Sequence, residues 1–221
     1  MKLPRTIIFD LDGTLVDTGQ DLTAALNHAL SQMGRRPMSE ASVRELIGHG
    51  ARKLLERGLV QTGEMTTELV EAGVLPFLAY YSANICVGSR PFPGVEAAMD
   101  ALAAAGCKLA VCTNKPQALS DQLIAALGWS DRFACVVGSD SVPDKKPHPG
   151  HVLATIARAG GQVADSAYVG DSSTDVDAAR AAGVPVIAVS FGFPDRPVHS
   201  LGADSVIDHY DQLVAALSRL R

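Results

Sequence analysis

The sequence has no uninterrupted apolar run near the roughly 18 residues that a membrane-crossing helix needs, although apolar residues make up 47% of the chain. A role inside a bilayer is therefore not expected. Lysine and arginine form no cluster beyond Arg35-Arg36 and Lys145-Lys146, and 19 basic against 24 acidic residues leave a net charge of −5. Nucleic acid, a polyanion, is a poor partner for such a chain. Cysteine is sparse: Cys86, Cys107, Cys112 and Cys135 make no CxxC pair, and the last three sit in or near apolar runs, as reduced core thiols do. Neither a disulfide framework nor a zinc site is expected. Repeats and low-complexity stretches are absent. Met1-Lys2-Leu3-Pro4-Arg5 leads straight into an apolar strand pattern, unlike a removable signal peptide, and a cytoplasmic location is expected.

What the chain does have is length enough, at 221 residues, to bury a large core without staples and to carry an insert. From Val95 onward, short apolar runs alternate with helical patterns, which predicts an α/β fold: a parallel sheet, doubly wound, with helices on both faces in three layers. Residues 108–112, 134–137, 167–170 and 185–189 read as strands buried on both sides. The helices between them stop at Gly106, Gly128, Gly160 and Gly183, as helices commonly do. Val206-Ile207 suggests an edge strand, and Leu213, Val214 and Leu217 a last helix.

Residues 17–89 break this rhythm and predict a helical insert, leaving residues 1–16 and 90–221 as the core domain. Leu22, Ala25, Leu26, Ala29, Leu30 and Met33 make one apolar stripe. Ser39-Glu40 begins a second helix, and residues 51–59 form a third, after a Gly48-His49-Gly50 turn. Between Thr66 and Cys86, Gly73 and Pro76 are expected to interrupt a continuous helix.

The chemistry starts in Ile7-Ile8-Phe9-Asp10-Leu11-Asp12-Gly13-Thr14. An apolar strand delivers two carboxylates to its end, and residues two apart on extended backbone point the same way. Such a pair repels itself unless a cation or different protonation states separate the roles. Taken alone, an acidic turn or a calcium loop has the same residues. Three more polar groups also follow predicted strands, where open α/β sheets put their sites. Thr113-Asn114 precedes a helix opening at Pro116, and either caps it or receives an anion. Lys145-Lys146-Pro147-His148-Pro149 projects a lysine from a proline-stiffened loop or is a solvated charge run. Asp171 and Asp175, four apart across a helix start, are first-turn acids or ligands for a hard cation such as magnesium.

Four motifs in this order closely resemble the haloacid dehalogenase superfamily of phosphotransferases. Asp10-Leu11-Asp12-Gly13-Thr14 matches its first motif, Thr113 its second, Lys146 its third, in Lys-Pro-x-Pro, and Gly170-Asp171-Ser172-Ser173-Thr174-Asp175 its fourth. The resemblance implies a Rossmann-like core, with residues 17–89 as a helical cap closing over the site. It implies Asp10 as nucleophile, forming an aspartyl phosphate, and Asp12 as general acid and base. Asp10, Asp171 and the Asp12 carbonyl would hold Mg²⁺ with Asp175 orienting its waters, and Thr113, Asn114 and Lys146 would hold the phosphoryl oxygens. Within the superfamily the segments around Asp10 to Leu22, Ile47 to Gly50 and Lys145 to Pro149 look most like the bacterial 2-phosphoglycolate phosphatases. That branch implies a small phosphorylated metabolite as partner. Pyrophosphate, muramic acid phosphate and sugar phosphates stay open as substrates, as do a sugar-phosphate mutase and a non-catalytic phospho-ligand-binding role. His49 and Arg52, in and after the cap turn, either meet the substrate's far end or are solvated. Monomer and homodimer are both open.

Overall fold

The computed structural model describes residues 3–220; Met1 and Lys2, read above as part of the lead into the first strand, lie outside them, as does Arg221. The chain runs β1 (Thr6–Phe9), β2 (Val16–Asp17), α1 (Gly19–Gln32), α2 (Glu40–Arg44), α3 (Ala51–Thr62), α4 (Thr67–Ala83), β3 (Arg90–Pro91) and α5 (Val95–Ala104). It continues through β4 (Lys108–Cys112), α6 (Gln117–Ala126), β5 (Cys135–Val137), α7 (Pro149–Arg158), β6 (Ser166–Gly170), α8 (Ser173–Ala181), β7 (Val186–Val189), β8 (Ser205–Ile207) and α9 (Leu213–Leu217).

Six strands form one parallel sheet in the order β5-β4-β1-β6-β7-β8. Successive residues of a strand face opposite sides, and the core divides accordingly. Ile7, Phe9, Val111 and Val169 join one apolar cluster with Leu102, Leu123 and Leu213, while Ile8, Cys112 and Tyr168 join the other with Val152, Ile156 and Val176. Burial on both faces explains why these strands read as continuous apolar runs. The chain leaves β1 in both directions, to β4 on one side and β6 on the other, which opens a crevice at the strands' carboxyl ends. Phe9 pairs with Val111 and with Val169, so the residues after β1, β4 and β6 emerge at one level.

Helices α1 to α4 stand between β2 and β3, which pair antiparallel as Val16 with Pro91 and Asp17 with Arg90. The Asp21 carboxylate ties the return connection to α1 by accepting from the Gly88 and Ser89 N–H groups, each at 2.8 Å, and from the Ser89 hydroxyl at 2.7 Å. Leu22, Ala25, Leu26, Ala29 and Leu30 of the α1 stripe are buried as their spacing predicted, while Met33, just past the helix end, is half-buried. One expectation fails: α4 runs unbroken through Gly73 and Pro76. Proline removes the N–H that would reach the Ala72 carbonyl, but Ala72 is exposed, so water can serve it. Gly73 is buried, and a Cβ there would meet Leu55 Cδ2 at 2.7 Å and Met33 Cε at 2.9 Å. Close packing of α4 on α1 and α3, with Val70, Phe77 and Tyr81 buried, outweighs the local preference for a break.

Candidate active site

Asp10 leaves the end of β1 with its N–H bonded to the Val169 carbonyl at 3.0 Å, which aims its side chain into the crevice. The chain then turns at Gly13, whose φ of +82° suits glycine. A Cβ at Gly13 would collide with the Asp171 carboxylate and lie 2.7 Å from the Phe193 ring, so the missing side chain is what lets this turn lie against Asp171. Asp10 and Asp12 line one cavity, as their spacing predicted. Their partners differ.

Asp10 belongs to a closed network around Lys146, which is 2% exposed. The Lys146 ammonium donates to the Cys112 carbonyl at 2.7 Å, to the Tyr168 hydroxyl at 2.8 Å and to Asp175 Oδ1 at 2.6 Å. It also lies 2.9 Å from Asp10 Oδ1, an oxygen that is buried yet accepts no well-directed hydrogen bond. The other oxygen of Asp175 accepts from the Asp171 N–H, the Ser172 N–H and the Ser172 hydroxyl at 3.3, 3.1 and 2.7 Å. Asp175 is thus saturated by protein donors, whereas Asp10 has acceptor capacity to spare. Asp171 Oδ2 accepts from the Phe193 N–H at 2.6 Å.

One oxygen each of Asp10, Asp171 and Asp175 lies within 4.8 Å of the others. Three ionised carboxylates against one ammonium would leave a surplus of two negative charges in a buried space. Burial and the neighbouring Asp175 and Asp10 push Asp171 well above the ordinary carboxyl range. Burial raises Asp10 to about 7, although Lys146 pulls the other way. Asp175 goes down despite its burial, because Lys146 and the Ser172 and Tyr168 hydroxyls favour its charged form. The surplus charge, the all-oxygen donor set and the under-bonded Asp10 oxygen together fit a divalent cation of the hard class.

Asp12 faces the cavity proper. Both its oxygens accept from Lys115 Nζ, at 2.7 and 2.8 Å, and Lys115 lies over the Tyr81 ring, 4.6 Å from its centroid. The motif reading missed Lys115 and Tyr81. Lys115 directly follows Thr113-Asn114 with no spacing signal of its own, and Tyr81 belongs to the segment where a break was expected. Thr113 and Asn114 also line the cavity; Thr113 Oγ1 accepts from the Lys115 N–H at 3.2 Å, Asn114 Nδ2 donates to the Lys146 carbonyl at 3.2 Å, and Asn114 Oδ1 is buried without a partner.

The helical segment closes the cavity with Leu22, Ile47, Gly48, Gly50, Ala51, Leu54, Phe77 and Tyr81. The glycine turn therefore contributes backbone, and the Thr174 hydroxyl reaches the Gly48 carbonyl at 3.4 Å. His49 and Arg52, which the sequence leaves open between meeting a substrate's far end and being solvated, are not on this wall. His49 Nε2 lies 4.0 Å from Asp195, and its pKa is lowered by burial and by Arg57. Arg52 is exposed and pairs with Glu71 on α4. The reason is helical phase: α3 turns Ala51 and Leu54 inward, which sends residue 52 about 100° round the helix.

No helix among the described residues is long and apolar enough to cross a membrane. The haloacid dehalogenase-like hydrolase family model matches residues 7–189. The chain is 43% identical over 213 residues to a phosphoglycolate phosphatase of Mesorhizobium japonicum, covering 96% of this chain and 94% of that one. It is 47% identical over 206 residues to a phosphoglycolate phosphatase of Caulobacter vibrioides, covering 93% and 87%. Its structure superposes with a TM-score of 0.89, at 32% identity and 96% coverage of both chains, on the crystal structure of a predicted phosphoglycolate phosphatase from Haemophilus somnus 129PT. With both sequence and architecture matched over most of its length, the chain belongs to the haloacid dehalogenase-like hydrolase family.

Proposed function

We propose that this chain is a magnesium-dependent phosphatase that hydrolyses 2-phosphoglycolate to glycolate and phosphate in the cytoplasm. One observation carries the reading: three buried carboxylates and a buried ammonium converge beside Asp12, in a chain whose relatives bear that activity's name over nearly their whole length. Residues 17–89 act as the cap over this site.

Asp10, Asp171 and the Asp12 carbonyl hold the magnesium ion, and Asp175 positions its surroundings. When bound, that ion supplies charge neutralisation at the phosphoryl oxygens, the main demand of phosphoryl transfer. In the first step an Asp10 oxygen attacks phosphorus, the bond from phosphorus to the glycolate oxygen breaks, and Asp12 gives that oxygen its proton. In the second, Asp12 takes a proton from water, whose oxygen attacks phosphorus and returns Asp10 as a carboxylate. Thr113 and Asn114 orient the phosphoryl oxygens. Lys146 offsets the charge gathered on Asp10 and Asp175. Its donors to Cys112, Tyr168 and Asp175 make it a partner of the acids before it is a ligand of the substrate.

The test is phosphate release from 2-phosphoglycolate beside pyrophosphate, sugar phosphates and a muramic acid phosphate, with magnesium and with chelator. We expect 2-phosphoglycolate to lead by about two orders of magnitude or more, a gap that differential transition-state binding readily supplies, and chelator to abolish turnover. Another phosphate in the lead would move the substrate assignment; turnover undiminished by chelator would remove the metal.

A further inference from the structure

One corner of the cavity is not used by the scheme above. Tyr81 comes from α4, distant in sequence from the strand ends; it is 1% exposed, lines the cavity, and its buried hydroxyl makes no well-directed hydrogen bond, its polar neighbour being the Lys115 ammonium. A buried hydroxyl left unpaired is destabilising, so a donor kept here points to a ligand that completes it. Beside it, Lys115 spends two of its three ammonium protons on Asp12 and turns the remaining side of its ammonium toward the Tyr81 hydroxyl. Among the described residues that line the cavity, Lys115 is the one cation, and Leu22, Ile47, Leu54, Phe77 and Leu119 make the neighbouring wall apolar. An ammonium and a hydroxyl side by side in a water-poor corner suit a planar two-oxygen anion.

The chemistry of the substrate places such an anion here. In 2-phosphoglycolate the carboxylate is carried by the same carbon as the ester oxygen that Asp12 must protonate. A group adjacent to that oxygen falls beside Asp12's own partner. We infer that Lys115 and Tyr81 read the carboxylate of the substrate, and that this pair, in place of the outward-facing Arg52, sets the preference for 2-phosphoglycolate over phosphate esters that lack a carboxylate. The inference rests on the proposed activity toward 2-phosphoglycolate.

The test measures kcat and KM on 2-phosphoglycolate and on ethyl phosphate, with magnesium, for the unaltered protein, Tyr81→Phe, Lys115→Met and Lys145→Met. Tyr81→Phe deletes only a hydroxyl that no well-directed hydrogen bond holds, so folding is not at stake; it should lose about tenfold on 2-phosphoglycolate, chiefly in KM, and stay within about twofold on ethyl phosphate. Lys115→Met should slow both substrates, because Asp12 loses its partner, while the preference for 2-phosphoglycolate collapses by about 100-fold. Lys145, exposed with Nζ near the cavity mouth at Gly50, should leave the preference unchanged when altered. Equal losses on both substrates in Tyr81→Phe and Lys115→Met would overturn the carboxylate reading while the proposed activity stands. A collapse in Lys145→Met with Lys115→Met retaining the preference would overturn it as well. If the unaltered protein turns over ethyl phosphate as well as 2-phosphoglycolate, the substrate assignment itself falls, an outcome visible before any variant is compared.

Discussion

Lys146 and Lys115 are both buried lysines bonded to aspartates a short way apart, yet they sit in opposite circumstances. Lys146 is enclosed: a carbonyl, a phenol and two carboxylates surround its ammonium. Lys115 has one carboxylate partner, and that partner's side chain is 15% exposed on the cavity. A closed cluster holds geometry, because each donor is already committed and moving any member leaves another buried charge unpaired. A lysine on a cavity wall can exchange partners when a ligand arrives.

The largest effects should come from the two acids that define the sides of this comparison. Asp10→Asn should lower turnover by about 10⁴-fold or more, the scale on which a lone nucleophile matters, without lowering the melting temperature in chelator. Asp12→Asn should preserve magnesium binding and lose about 10²- to 10⁴-fold in turnover, the usual worth of a positioned proton carrier. Near-normal turnover in either variant would remove that residue from its role.

Stability separates the lysines more sharply. Lys146→Met strands two buried carboxylates and should cost about 3–5 kcal/mol in a denaturant titration. Lys115→Met leaves only Asp12, which water can reach through the cavity, and should cost about 1–2 kcal/mol, within the ordinary range for a single substitution. Equal losses would erase the distinction.

Removing the metal exposes the enclosed side in another way. In its absence folded Asp10 keeps its proton up to about pH 7, because burial outweighs the help from Lys146, while an unfolded chain releases it near the ordinary 3.8. Between those values folding takes up a proton, so stability is highest at the acid end of the window and falls as pH rises through it. In chelator the melting temperature should therefore drop between about pH 5 and 7.5, and magnesium should restore more of it at the upper end, where its ligands need not give up protons. A melting temperature that climbs across this window in chelator would contradict burial outweighing Lys146 at Asp10.

The smallest effect belongs to the outer surface of the helical segment. Arg52→Ala removes an exposed pair with Glu71 and should change kcat/KM on 2-phosphoglycolate by less than about twofold and stability by under about 1 kcal/mol.

Much of this arrangement was readable along the chain, for local reasons. Apolar runs bounded by glycine reported the strands, and polar residues in the connections that follow four of them reported where the chemistry gathers. The Lys-Pro-x-Pro pattern singled out Lys146 over Lys145, and the two are buried and exposed respectively. What stayed hidden depended on contacts between distant segments. Unbroken α4 depends on the space that Leu55 and Met33 leave at Gly73, and the short β2–β3 pairing joins residues on either side of the helical segment. Arg52 stayed open because a cation after a glycine turn faces the site or solvent according to helical phase, and that phase is set by how α3 packs.

Spacing and residue type were enough to establish a parallel α/β sheet, a helical insert and a set of acids at the strand ends, because each is written in a window of a few residues. They were not enough to pair Lys115 with Asp12 across 103 positions, or to bring the Tyr81 hydroxyl to the same cavity from α4. Those choices were made by folding: which charges meet in an interior follows from strand register and helix packing, and neither leaves a mark on the spacing of the residues concerned.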